Sequence, residues 1–247
     1  MAAEVGKDDD VPSVVVALAS GRPIRLAWQN ELGGRTYQVG TGEQRRFVKW
    51  SPHVSGIDLT REIVRLQWAA AYVSVPQIVD QGRDDTAAWV VTAGIPGESA
   101  VSERWRAAPE TAVTQIGLAL RALHDALPVD TCPFSWSVED RLIEVDRTLA
   151  EIGDPPPIDK LVVCHGDACS PNTLITDDGR WSGHVDLGDL GIADRWADLA
   201  VATMATEWNY GPGWESALLD AYGITDDPNR NGFYRQLWNL DDGSAEH

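Results

Sequence analysis

A chain of 247 residues, 43% of them hydrophobic and eleven of them Trp, can bury a substantial core as one large domain or as two lobes. A formal charge of −18 and a pI near 4.5 argue against nucleic acid or an anionic membrane as partner. Three Cys without zinc spacing predict free thiols in a reducing compartment. No secretory leader and no run near the ~20 apolar residues that cross a bilayer are expected, so the protein reads as cytosolic.

Residues 1–10 are polar and acidic and predict a flexible N-terminus; the apolar run Val14 to Ala19 is too short for a secretory core. Short β-branched or apolar runs at Ile24 to Gln29, Thr36 to Val39 and Arg46 to Trp50 predict strands, separated by Glu31-Leu32-Gly33-Gly34 and Gly40-Thr41-Gly42. Leu59, Ile63, Leu66, Ala70 and Val73 fall at helical spacing and predict a helix from about Leu59 to Val73. Two further strands, Gln77 to Val79 and Ala87 to Thr92, flank a polar turn at Gly82 to Asp85. These elements make a small N-terminal nucleotide-binding lobe over residues 11–92, and Ala93-Gly94-Ile95-Pro96-Gly97 predicts a hinge at 93–97.

Residues 98–247 read as a mainly helical catalytic and acceptor-binding lobe. Ala112, Ile116, Leu120, Leu123 and Leu127 form one stripe. A helix around Val138 to Ile152 is separated by Pro155 to Pro157 from a strand entering His165. Further helices are expected at Asp194 to Trp208, Trp214 to Tyr222 and Phe233 to Leu240.

The stretch from Leu161 to Ala200 carries the chemistry. His165-Gly166-Asp167 to Asn172 fits H-x-D-x-x-x-x-N, in which the aspartate takes the acceptor hydroxyl proton and the asparagine holds Mg²⁺. Asp186-Leu187-Gly188 supplies the second metal-binding aspartate. Asp178-Gly179 is a two-residue hairpin signal between Thr173 to Thr176 and Trp181 to Val185. A turn centred there sets Asn172 opposite Val185, one residue from Asp186. A second chemistry fits the same residues: His165/Asp167 and His184/Asp186 are two H-x-D pairs, as a metal hydrolase would use.

Upstream, Gly33-Gly34 lies between two strands where backbone could approach phosphates. Lys49 ends the third strand and Glu62 follows on the next helix, an order that matches the phosphate-binding Lys–Glu pair of kinases.

The chain resembles the aminoglycoside phosphotransferases, especially their kanamycin-kinase branch. The resemblance rests on Phe47-Val48-Lys49, Trp89 to Gly97, Ala119 to His124, Cys132-Pro133-Phe134, Val162 to Asn172, Asp186-Leu187-Gly188, Gly191 to Ala200, Tyr222-Gly223-Ile224 and Phe233-Tyr234-Arg235. It implies an α+β, two-lobed, protein-kinase-like fold with a small, mainly antiparallel β N-lobe, a larger, mainly helical C-lobe, and ATP between them. In that likeness Phe47 stacks on adenine and the backbone of Ala93, Gly94 and Ile95 meets its polar edge. Lys49 contacts phosphates with Glu62 as partner, Asp167 is the base, and Asn172 with Asp186 binds Mg²⁺. His165 orients the loop and Asp198 braces it.

Departures from the family pattern fall on the acceptor side. Asp189 follows Asp-x-Gly where the branch commonly has arginine, the segment between Phe134 and His165 is short, and Trp238-Asn239-Leu240 replaces an acidic–aromatic ending. The expected reaction is Mg²⁺-dependent transfer of the ATP γ-phosphate to a hydroxyl of a small, cationic molecule, an aminoglycoside-type aminosugar. Asp189, Glu207, Asp241 and Asp242 are the carboxylates offered to its ammonium groups. Two other readings use the same residues: a small-metabolite kinase without useful aminoglycoside activity, and a nucleotide-binding module without turnover.

Overall fold

The computed structural model describes residues 11–240, so Asp241 and Asp242 lie outside the described residues. The chain forms two compact units. One comprises the chain to Ala70 together with Val75–Ile95; the other comprises Ala71–Ser74 and the chain from Pro96 onward.

The first unit begins with helix α1 (Ser13–Ala19), then β1 (Ile24–Gln29), β2 (Arg35–Val39), β3 (Arg46–Pro52), helix α2 (Leu59–Ala69), β4 (Ile78–Arg83) and β5 (Ala87–Ala93). The strands form one antiparallel sheet in the order β1-β2-β3-β5-β4. Helix α1, unforeseen from the sequence, buries Val15 and Ala19 against Tyr37, Val39, Val48 and Val91. Successive strand residues point to opposite faces. Burial of Val48 on the α1 side therefore sends Phe47 and Lys49 to the other face, where both are half-buried. Helix α2 stops at Ala69, short of Val73. Strand β4 runs through the expected Gly82–Arg83 turn because Gly82 pairs with Trp89, whose indole lies 2.4 Å from where a Cβ on Gly82 would sit. Only glycine admits that ring.

The second unit contains β6 (Glu98–Ser99), α3 (Glu103–Arg106), α4 (Pro109–Ala126), α5 (Val138–Glu144), β7 (Leu161–Cys164), β8 (Thr173–Ile175), β9 (Trp181–His184), β10 (Gly191–Asp194), α6 (Trp196–Tyr210), α7 (Glu215–Tyr222) and α8 (Pro228–Asn239). Its core gathers Ile116 and Leu120 of α4, Trp136, Val162 of β7, Trp196 and Leu199 of α6, and Leu218 and Tyr222 of α7. Truncating one such leucine to alanine typically costs about 2–5 kcal/mol. Helix α6 is buried along its length from Trp196 to Thr206, as a helix that is apolar nearly all round must be. Gly117 lets α4 and α7 approach closely, since a methyl group there would lie 2.5 Å from the Leu218 carbonyl oxygen.

Three further expectations need correction. The helix foreseen over Val138 to Ile152 ends at Glu144; Asp146 turns left-handed (φ 53°) and only a 3₁₀ turn, Leu149–Glu151, follows. Residues Gly191–Asp194 pair antiparallel with β7 before α6 begins, and Asp194 then accepts from the Trp196 N–H at 3.2 Å. The β8–β9 tip is a three-residue loop: Thr176 N–H donates to Arg180 O and Gly179 N–H to Thr176 O, with Gly179 at φ 78°. That shift of one residue is undone by a bulge, because Ile175 faces Trp181 while Leu174 faces Gly183. The register at the far end is therefore the expected one, and Val185 N–H donates to Asn172 O at 3.0 Å.

Candidate active site

In the first unit, a tight turn joins β1 to β2. Asn30 Oδ1 accepts from Gly34 N–H at 2.7 Å, Gly33 stands at φ 91°, and a Cβ on Gly34 would press on the Asn30 side chain at 2.9 Å. Left-handed backbone of this kind favours glycine. On β3, Lys49 Nζ lies 2.6 Å from Glu62 Oε2 of α2, with side chains 25% and 12% exposed. Phe47 shares the Lys49 face and pairs across the sheet with Gln38 and Thr92. Beyond β5 the backbone is largely engaged: Ala93 N–H donates to Gln77 O at 2.8 Å, Gly94 N–H to Arg45 O at 2.9 Å, and Ile95 O accepts from the Arg45 guanidinium.

In the second unit, β7 delivers His165-Gly166-Asp167 to the loop before β8. Gly166 has φ 85°, and a methyl group there would lie 2.2 Å from the Asp189 carbonyl oxygen. No other residue type fits that turn. Asn172 Nδ2 donates to Asp167 O at 3.0 Å and to Asp167 Oδ2 at 2.9 Å. Its donor nitrogen is thus spent on Asp167, and the amide oxygen remains for a ligand. Asp167 Oδ1 is buried and has no hydrogen-bond partner among the described residues. A buried acceptor without a donor is rare in folded proteins and is a candidate position for a ligand, an ion or a water to complete the bonding. Asp186, directly after the Val185–Asn172 hydrogen bond, holds a left-handed backbone (φ 62°) that aspartate tolerates better than most residues.

Beneath this loop lies a network of buried polar groups. Asp198, in the first turn of α6, accepts from His165 N–H at 2.6 Å, Gly166 N–H at 2.9 Å and His124 Nε2 at 2.9 Å. Burial alone would raise the Asp198 carboxyl, but the His124 hydrogen bond and the neighbouring His124 and His165 rings outweigh it and hold the carboxyl below its usual range. His165 Nε2 lies 3.0 Å from Val185 O, joining the Asp167 loop to the strand that leads to Asp186. His184 is buried edge-on to His165 at 5.6 Å, and burial, then proximity to His165, depresses it to about 3.

The two-histidine hydrolase reading finds no support in this arrangement. Among the described residues the only His/Cys/Asp/Glu trio close enough to share an ion is His124, Cys164 and Asp198, and its carboxylate is already filled by three N–H donors. Of the carboxylates offered to the acceptor, Asp189 is half-buried beside Gly166 and Glu207 is exposed on α6. The Asp198–His124–Tyr222 linkage was only partly visible in the sequence. The family resemblance gives Asp198 a bracing role, but no pattern in the sequence connects positions 124, 198 and 222.

Comparison with known proteins places this geometry. The model of the "Phosphotransferase enzyme family" matches residues 29–234. An aminoglycoside 3'-phosphotransferase of Streptomyces fradiae is 34% identical over 85% of this chain and 91% of its own length. A second, of Streptomyces ribosidificus, is 35% identical over 86% and 93%. Among solved structures, an aminoglycoside-3'-phosphotransferase of type VIII superposes with a TM-score of 0.74 at 29% identity, covering 92% of this chain and 97% of that one. A Streptomyces rimosus aminoglycoside phosphotransferase in complex with ADP and streptomycin shares the fold with a TM-score of 0.71 at 24% identity, covering 92% and 97%.

Proposed function

The chain belongs to the phosphotransferase enzyme family and is an ATP-dependent kinase; from that premise we propose that its acceptor is a hydroxyl of an aminoglycoside-type aminosugar. The observation that carries the chemistry is the asymmetry of Asp167: Oδ2 is tied to Asn172, while Oδ1 is buried and unpaired. An acceptor O–H is the donor that Oδ1 lacks. In this reading Asp167 orients the hydroxyl oxygen toward the γ-phosphorus and takes its proton as the new oxygen–phosphorus bond forms, while the bond from the γ-phosphorus to the β–γ bridging oxygen breaks and ADP leaves. The carboxylate cannot swing away, because Asn172 holds its other oxygen and Gly166 fixes the backbone before it.

Asn172 Oδ1 and the Asp186 carboxylate would hold Mg²⁺, and both are the hard oxygen donors that this ion takes. When bound, the ion neutralises charge on the nucleotide phosphates. Lys49, steadied by Glu62, contacts phosphates; the Gly33-Gly34 turn brings backbone near them. Phe47 offers its ring to the base, and of the backbone at 93–95 the Ile95 N–H is the group to meet the base edge, since those of Ala93 and Gly94 are engaged. Asp189 and Glu207, with Asp241 and Asp242 beyond the described residues, supply negative charge for ammonium groups. The chain's formal charge of −18 favours the encounter with a cation.

The test is mass spectrometry of an aminoglycoside panel after incubation with ATP and Mg²⁺. A single phosphate adduct is expected on at least one aminoglycoside. No adduct on any of them, with one on a neutral hydroxyl compound, would replace the aminosugar by a small metabolite while leaving the kinase chemistry in place.

A further inference from the structure

Asp198 is reached from the other side by a histidine that the phosphotransfer chemistry does not use. His124 sits on the last turn of α4, 4% exposed, between two buried partners. Its Nε2 is 2.9 Å from Asp198 Oδ2, and its Nδ1 is 2.8 Å from the hydroxyl of Tyr222 at the end of α7. The Tyr222 ring packs edge-on to the imidazole at 5.6 Å. The chain of contacts therefore runs Tyr222–His124–Asp198 and ends on the amides of His165 and Gly166, the two residues before Asp167.

We infer that His124 is a positioning residue for the phosphotransfer reaction: its Nε2–H holds the Asp198 carboxylate in the one orientation that serves both catalytic-loop amides. The geometry supports this step by step. Asp198 Oδ2 receives two donors, His124 Nε2–H and His165 N–H, while Oδ1 receives the Gly166 N–H. Without the imidazole, Oδ2 keeps one donor in a fully buried site, and a side-chain rotation of the carboxylate breaks one amide contact or the other. Gly166 cannot absorb such a shift, because its backbone already lies against Asp189. The displacement passes to Asp167, where a misplacement of about 1 Å can cost ~10²-fold in rate. Tyr222 fixes the other end: its hydroxyl lies 2.8 Å from Nδ1 and so keeps the ring turned with Nε2 toward Asp198. Helices α4 and α7 thereby act on the reacting carboxylate, although neither touches it.

The inference rests on Asp167 being the acceptor base. Four variants of the full chain, His124→Gln, His124→Asn, Tyr222→Phe and Asp167→Asn, separate the two claims. A glutamine amide nitrogen reaches the place of Nε2, whereas an asparagine amide reaches only that of Nδ1. His124→Gln should retain kcat within a few-fold. His124→Asn should lose kcat by about 10–100-fold at unchanged nucleotide Kd and acceptor KM, measured per mole of folded protein. Tyr222→Phe should fall between them. A purely structural histidine would instead lower thermal stability in both His124 variants alike and leave kcat per folded molecule unchanged, which would overturn the inference. Near wild-type turnover in Asp167→Asn would overturn the reading of the base. An inactive Asp167→Asn beside a fully active His124→Asn would overturn the inference about His124 alone.

Discussion

The two units secure their charged groups in opposite ways. On the sheet of the first unit, Lys49 and Glu62 meet at 2.6 Å with water still at hand, their side chains 25% and 12% exposed. In the second unit the Asp198 side chain is fully buried and surrounded by N–H donors from three other residues. A half-solvated pair can open to admit a phosphate, because water covers each partner while they rearrange. A buried carboxylate has no such freedom; its worth lies in never moving. The first arrangement suits a group that exchanges ligands, the second a group that locates one.

The comparison is tested most severely at Asp198. Replacement by alanine strands three donors in a dry interior, and unfolding in urea at neutral pH should show a loss of about 3–5 kcal/mol. A loss below about 1 kcal/mol would mean that water or rearranged side chains satisfy those donors. Next comes Asp167→Asn, which should keep nucleotide affinity and fold stability while lowering kcat by ~10²–10⁴-fold. Steady-state kinetics with the true acceptor and an urea titration measure both sides of that statement. If stability drops with turnover, Asp167 belongs to the framework and not to the chemistry.

An alkaline titration sharpens the contrast further. Burial raises the Tyr222 hydroxyl from its ordinary 10 to about 12. Below pH 10 the group is neutral in both states; between 10 and 12 the unfolded chain releases a proton that the folded chain keeps, so stability falls as pH rises. Tyr222→Phe should flatten this decline, read from urea midpoints between pH 9 and 12. An unchanged slope would show that Tyr222 is not sealed from solvent as α4 and α7 imply. The smallest effect belongs to the half-solvated pair. Lys49→Ala and Glu62→Ala should each change stability by no more than about 1 kcal/mol. In nucleotide affinity the two changes should couple by about 0.5–3 kcal/mol in a double-mutant cycle. Additive losses would separate the residues functionally.

Much of this was legible in the chain because the governing interactions are local. The apolar stripe of α4, the β8–β9 hairpin and the order of Asp167, Asn172 and Asp186 are set within a few residues. The hairpin signal predicts the right partner for Asn172 although the loop at its tip is one residue longer than expected, since the bulge at Ser182 cancels the difference. What escaped was decided at a distance. Residues Gly191–Asp194 become a strand only because β7 is there to receive them, and Gly82 stays in β4 only because Trp89 crosses it. Helix α1 is seven residues long and is held by the sheet beneath it rather than by its own propensity. The hydrogen bonds running from Asp198 through His124 to Tyr222 join four segments that share no pattern at all.

Those segments also set an order of events during synthesis. The bonds that brace the catalytic loop span 32 and 33 residues from Gly166 and His165 to Asp198, 74 from His124 to Asp198, and 98 from His124 to Tyr222. At roughly 5–20 residues per second on the ribosome, the loop is made seconds before its last support emerges. Contacts of such long range also close late in refolding, after helices and hairpins have formed. If Asp167 is the base proposed above, an unfinished or half-folded chain carries it without the means to aim it, and phosphate transfer should begin only after the second unit is whole.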